Sequence, residues 1–245
     1  MTKIATLIFV FCFPFCISAQ ELDTSYVAKK SGIRPFIVPA AFIGYGIVAK
    51  SDNFLNRFDQ SIQRRINSNN PDPSELADDI LRYTPAAFVY GLNFAGIKGK
   101  NNLVDASGIY LLTNVIMGVS VKTTKQITKH MRPDGSDEHS FPSGHSSTAF
   151  ASAEFLRQEY RDVSPWYGYA GYTVAAATGV LRLRNNKHWF GDVVAGAGFG
   201  ILSTKAAYLL YPEVKKLFKG KSSSSYTILP AYQQNRIGLN FSASF

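Results

Sequence analysis

Four histidines occur in the 245 residues, and two of them stand among groups that handle phosphate. In the segment Arg182-Leu-Arg-Asn-Asn-Lys-His188-Trp-Phe-Gly-Asp192, His188 and Asp192 are four apart, a spacing that places two side chains on one helical face. A carboxylate bonded to one ring nitrogen fixes the tautomer and leaves the other nitrogen as a nucleophile or base. In Phe141-Pro-Ser143-Gly144-His145-Ser-Ser147, Pro-Ser-Gly precedes an apolar run, so Ser143 is predicted to cap a helix. First-turn N–H groups form an anion site, and Gly144 lets a ligand approach the backbone. His145 stands beside that site as a proton donor to a leaving oxygen. In Lys125-Gln-Ile-Thr-Lys-His-Met-Arg132-Pro133, the two outer cations are seven apart, near one face of a helix that Pro133 is expected to end. Arg182 adds a third cation.

Each segment alone has an ordinary explanation: a solvated basic helix end, a capping histidine, a His–Asp helix pair. Together they supply a nucleophile, an acid, three cations and a helix N-terminus, the parts needed to transfer a phosphoryl group. The cations stand in for a metal, so no cofactor is expected. His130 and His139 fit no such role and read as loop or surface residues. Arg184 and Lys187 read as exposed loop charges, or else as an extension of the positive field toward a larger anionic substrate.

Six apolar runs must position these groups: residues 33–49, 83–97, 103–121, 143–156, 166–181 and 189–211. All are rich in Ala, Gly, Leu, Val and aromatics. Polar stretches separate them at 51–82, 98–102 and 134–139, and Pro73-Ser74-Glu75 reads as the start of a further helix. The expected fold is all-α, a bundle of about six core helices. After a short serine linker at 222–225, residues 226–245 partly alternate apolar and polar, the pattern of a small β-like tail. The expected division is a signal peptide at 1–19, an N-terminal helical part at 20–102, a core at 103–211, and a linker with tail at 212–245. Residues 1–19 carry one lysine, an apolar stretch and Ile-Ser-Ala before Gln20, which is the pattern of a secretory signal. Both cysteines fall inside it, so the mature chain is expected to have no disulfide and no thiol chemistry.

The formal charge of +9 favours anionic partners. Nucleic acid is not expected, because the basic residues are spread over loops without a recognition motif. A composition of 46% hydrophobic and 18% charged residues excludes a disordered chain. Mean hydropathy is −0.04, low for a protein made mostly of membrane spans. Most runs hold about 14 to 19 residues, at or below the roughly 20 that a crossing helix needs. Buried core helices and helices packed closely in lipid would look alike at this level.

The order Lys-x6-Arg-Pro, Pro-Ser-Gly-His, Arg-x5-His-x3-Asp resembles the type 2 phosphatidic-acid phosphatase superfamily. That group includes lipid phosphatases, bacterial non-specific acid phosphatases and vanadium haloperoxidases. The resemblance covers roughly residues 103–210 and departs at Leu181, where the family usually has serine. It implies that His188 is the nucleophile and forms a phosphohistidine, with Asp192 orienting it. It implies that His145 protonates the leaving oxygen, and that Lys125, Arg132, Ser143, Gly144 and Arg182 hold the phosphoryl oxygens. The substrate implied is a phosphorylated lipid or a small phosphate ester, at the periplasmic side of the cell envelope with membrane contact. Placing Lys125 outside puts the basic stretches 98–100, 157–161 and 215–221 inside, as the positive-inside rule asks. The run at 33 must then start inside, whereas a cleaved signal would deliver Gln20 outside. A core that does not cross in the usual six-span way removes the conflict. The alternatives are a soluble periplasmic acid phosphatase, a vanadium haloperoxidase with His188 as vanadate ligand, and a non-catalytic anion-binding protein.

Overall fold

The computed structural model describes residues 32–67, 75–218, 225–233 and 236–244. The signal expected at 1–19, residues 73–74 of the expected helix start, and 222–224 of the serine linker lie outside these. The helices are α1 (Arg34–Ala49), α2 (Phe54–Asn67), α3 (Glu75–Leu81), α4 (Thr84–Phe94), α5 (Leu103–Thr128), α6 (Gly144–Tyr160), α7 (Pro165–Arg184) and α8 (Phe190–Phe218). All six apolar runs became helices, and the polar stretch 51–82 supplied α2 and α3. Strands β1 (Ser225–Gln233) and β2 (Arg236–Ser244) pair antiparallel, Ser225 with Ser244 and Gln233 with Arg236.

Helix α6 is the axis of the bundle and packs against α3, α4, α5, α7 and α8. Its sequence explains this, because Gly, Ala and Ser dominate its first half and nearly every later side chain is buried. Small residues let neighbouring backbones come close. On α8, a Cβ added at Gly196 would lie 2.6 Å from the Ser143 carbonyl oxygen, and one at Gly200 would lie 2.2 Å from that of Ser147. The glycines set α8 directly on the start of α6. Farther along, Phe155 and Tyr160 of α6 pack with Val89 of α4 and Ala106 of α5. Burying a side chain of this size contributes about 1.5–3 kcal/mol.

Two buried carboxylates fix the other end of α6. Glu154 is fully buried and takes a two-point bond from Arg157, at 2.7 and 2.6 Å, with Lys205 of α8 at 3.0 Å and the Tyr172 hydroxyl of α7 also on it. Glu159 accepts from Asn101 and from the Tyr208 hydroxyl. A buried carboxylate is tolerated only when paired and hydrogen-bonded in this way.

The outer faces are apolar. Leu111, Val115 and Val119 lie on one side of α5 and are at least half exposed, as are Leu209 and Leu210 on α8. Among the described residues, two helices are long and apolar enough to cross a membrane, Leu103–Thr128 and Phe190–Leu217.

Three boundaries differ from expectation. Helix α5 does not reach Arg132; it stops at Thr128, and Lys129 adopts a left-handed conformation with φ 41°. Pro133 disfavours a helical backbone at Arg132, so the helix must end earlier. His188 is not helical, since α8 starts at Phe190. Helix α8 runs through Pro212 to Phe218 rather than ending at 211. Its last turns are held by Tyr211 and Lys215, which both bond Asp105 near the start of α5.

Candidate functional site

The start of α6, the end of α7 and the start of α8 meet at one end of the bundle. Ser143 caps α6 as expected, with its side chain accepting from the Ser146 N–H, and its own N–H donates to the Asp192 carbonyl at 3.0 Å. That bond joins the second and third sequence segments through the backbone. The first-turn N–H groups of Gly144 and His145 have no carbonyl partner within the helix. A Cβ at Gly144 would meet no atom within 4 Å, so open space lies in front of this turn.

His188 is 2% exposed. Its Nδ1 lies 3.8 Å from Asp192 Oδ2 and 3.5 Å from Ser140 Oγ. Asp192 is buried at the third position of α8 and accepts from the Trp189 N–H at 2.9 Å. An acidic residue there closes the first turn and suits the positive end of the helix dipole. The pair therefore meets across a loop–helix junction rather than along one helical face. Burial pushes the His188 imidazole down to about 4, and the Lys125 and Arg182 charges act in the same direction while Asp192 opposes them. The ring is neutral at physiological pH. A proton on Nδ1, on the side of Asp192 and Ser140, would leave the lone pair on Nε2.

His145 is set by groups outside the three segments. Its Nε2 lies 2.8 Å from Asp79 Oδ1 and 3.0 Å from an Arg82 guanidinium nitrogen. Burial and the Arg182 charge push its pKa below the usual histidine range, and Asp79 opposes them. Arg182 is buried and paired at 2.7 Å with Asp78, which is fully buried and also accepts from Asn185. Arg132 pairs with Asp137 at 2.8 Å and donates to the Lys187 carbonyl at 3.3 Å. The Lys125 ammonium donates to the His139 carbonyl.

A cavity of about 260 Å³ is lined by Arg132, His145, Arg182 and Lys187, together with Asp79, Ser136 and Asp137. A second cleft of about 310 Å³ borders the same two loops and is lined by Pro133, Asn186 and Trp189 with Gln60, Gln63 and Arg64 of α2. Asp78, Asp79 and His145 bring possible metal-ligand atoms within 4.8 Å of one another. The arginines already pair with both carboxylates, so the chemistry of the group is that of an ion-pair cluster.

Four residues enter that spacing could not reveal. Ser140 donates its hydroxyl proton to Asp192 Oδ2. His130, expected to be a loop or surface residue, puts Nδ1 at 3.3 Å from Asp192 Oδ1, because the turn after α5 folds back onto α8. Lys187, expected to be an exposed loop charge, lines the cavity and pairs with Asp134 at 3.3 Å. Asp59 of α2 accepts from the Gly191 N–H at 2.7 Å, and burial pushes its pKa up to about 6. His139 is exposed, as expected.

Residues 106–216 match the sequence model of the PAP2 superfamily. A lipid A 1-phosphatase of Porphyromonas gingivalis is 39% identical over 137 residues, which cover 54% of this chain and 30% of that protein. A lipid A 1-phosphatase of Rhizobium etli is 30% identical over 146 residues, 52% of this chain and 60% of that protein. The chain thus spans less than two thirds of the length of either curated relative. The crystal structure of Aquifex aeolicus LpxE aligns over 61% of this chain and 94% of its own, with 22% identity and a TM-score of 0.46. The family match encloses all three motif segments, and over residues 106–216 the chain is similar to the PAP2 superfamily.

Proposed function

We propose that this protein is a metal-independent phosphatase that removes phosphate from a lipid through a phosphohistidine, at the periplasmic face of the cell envelope. The carrying observation is the cavity that gathers Arg132, Arg182, Lys187 and His145, with Lys187 next in the chain to the buried His188. The cations and the first-turn N–H groups of α6 would hold the phosphoryl oxygens and offset charge that grows in the transition state. His188 Nε2 attacks phosphorus, the P–O ester bond breaks, and the leaving oxygen takes a proton from His145. Water then attacks the P–N bond, His145 takes the water's proton, and phosphate leaves. Asp192 and Ser140 hold Nδ1, so the imidazolium-like charge on His188 has a counter-charge in place.

Two observations support a lipid substrate. The curated relatives carry the name lipid A 1-phosphatase. The apolar outer faces of α5 and α8 suit contact with a bilayer. A periplasmic site is consistent with the basic stretches at the opposite side of the predicted topology.

Phosphate release is the test. A panel of phosphatidate, a polyprenyl diphosphate, a lipid A phosphate and a small aryl phosphate is assayed in EDTA, with His188→Ala alongside. Release from a lipid phosphate that survives EDTA and vanishes in the variant is expected. A folded protein that releases phosphate from none of them would sink the reading.

A further inference from the structure

The carboxylate that meets His145 comes from α3, outside residues 106–216. Asp79 Oδ1 lies 2.8 Å from His145 Nε2, and an Arg82 nitrogen lies 3.0 Å from the same Nε2 and another 3.1 Å from the same Asp79 oxygen. One ring nitrogen has one in-plane position. It can accept from Arg82 as a lone pair or donate to Asp79 as N–H, but not both. A lone pair aimed at a carboxylate oxygen is repelled. An N–H there is satisfied, and Arg82 is then satisfied by the carboxylate itself. The geometry therefore favours the proton on Nε2. Asp79 is half exposed and Arg82 less so, and Asp79 and His145 both line the 260 Å³ cavity.

We propose that Asp79 is a positioning residue that keeps the proton of the general acid on His145 Nε2, so that the acid meets its substrate already loaded. The proposal rests on the reading of His145 as the proton donor to the leaving oxygen. The groups facing this ring are Asp78 and Asp79 of α3, Arg82 directly after it, and Arg182 of α7. The two arginines favour the neutral ring, and Asp79 is the hydrogen-bonded group that opposes them. In the first half-reaction the leaving oxygen takes the place of Asp79 in front of Nε2, the His145 imidazolium gives it the Nε2 proton as the P–O bond breaks and becomes a neutral ring, and Asp79 stays ionised. In the second, the neutral ring takes a proton from the attacking water, and Asp79 draws it back to the same nitrogen.

Nitrogen NMR of the full chain with labelled histidine reads this directly, with the His145 signals assigned through His145→Gln. The wild type is expected to show the Nε2–H tautomer and to titrate at higher pH than Asp79→Asn. In activity, Asp79→Asn is expected to move the alkaline limb of kcat toward acid, so that the ratio of kcat at pH 8 to kcat at pH 6 falls by about fivefold. KM should stay within about twofold, and Asp79→Glu should restore the profile. An unchanged tautomer and titration, or an equal loss of kcat at every pH, would overturn the proposal. The NMR arm needs no turnover. A chain that is inactive on every phosphate ester would therefore remove the phosphatase reading while the spectra still decide whether Asp79 holds the proton.

Discussion

The Ser140 hydroxyl donates to Asp192 Oδ2 while lying 3.5 Å from His188 Nδ1, closer than the 3.8 Å that separates the histidine from its carboxylate. Ser140 thus helps to fix the carboxylate against which the proposed nucleophile is oriented. A hydrogen bond to a charged group is worth about 1.5–3 kcal/mol. Ser140→Ala is expected to lower kcat by about tenfold, with the fold intact, whereas His188→Ala abolishes turnover. Single-turnover phosphate release compares the two, and a Ser140→Ala enzyme of wild-type rate would remove Ser140 from the site.

The pH profile should show an acid limb set by His188. Its pKa is lowered from the usual histidine value to about 4, so the ring is neutral above that pH and gains a proton below it. A protonated imidazole has no lone pair at Nε2, so kcat/KM is expected to fall as pH drops through about 4. A limb centred near the ordinary histidine value of about 6.5 would show that the ring is not desolvated in the working enzyme.

Asp78 is the buried counter-charge of Arg182. Removing one partner of a buried pair typically costs about 3–5 kcal/mol, because the other charge is left without compensation. Asp78→Ala is expected to lower the melting temperature and to weaken vanadate binding as Arg182 loses its anchor. Thermal unfolding in detergent with and without vanadate measures both, and unchanged values would show the pair to be dispensable.

Gly200→Ala should disturb the site from a distance. The new Cβ would lie 2.2 Å from the Ser147 carbonyl oxygen, so α8 must move off α6. Overpacking of this kind costs typically about 1–3 kcal/mol. The same shift strains the bond from the Ser143 N–H to the Asp192 carbonyl. Loss of stability together with loss of kcat is expected, read by thermal unfolding and by turnover of the same sample.

Much of this site was legible because its chemistry is local in sequence. The Ser143 cap, the first turn of α6 and the approach of His188 to Asp192 follow from neighbours a few residues apart. The six apolar runs identified the core helices, since burying their length needs little beyond composition. The groups supplied by tertiary packing were not legible. Asp78 and Asp79 sit in a stretch with no motif, and their partners Arg182 and His145 are 104 and 66 residues away. His130 looked idle because its contact with Asp192 depends on the reversal after Lys129. Helix ends also escaped. Pro133 marks where α5 cannot continue, yet the left-handed Lys129 ends it a turn earlier.

The short helix α3 carries a consequence for attempts to transplant this chemistry. A fragment cut to the matched segment, 106–216, would keep the proposed nucleophile, the proposed acid and the proposed phosphate cations, but it would lose Asp78, Asp79 and Arg82. Arg182 would then sit in the interior without Asp78, and His145 would lose the carboxylate it meets while Arg182 stayed near it. Grafting the motif residues onto a foreign bundle would meet the same difficulty. The portable unit is α5 to α8 together with α3 and Arg82, which supply Asp78 to Arg182 and Asp79 to His145.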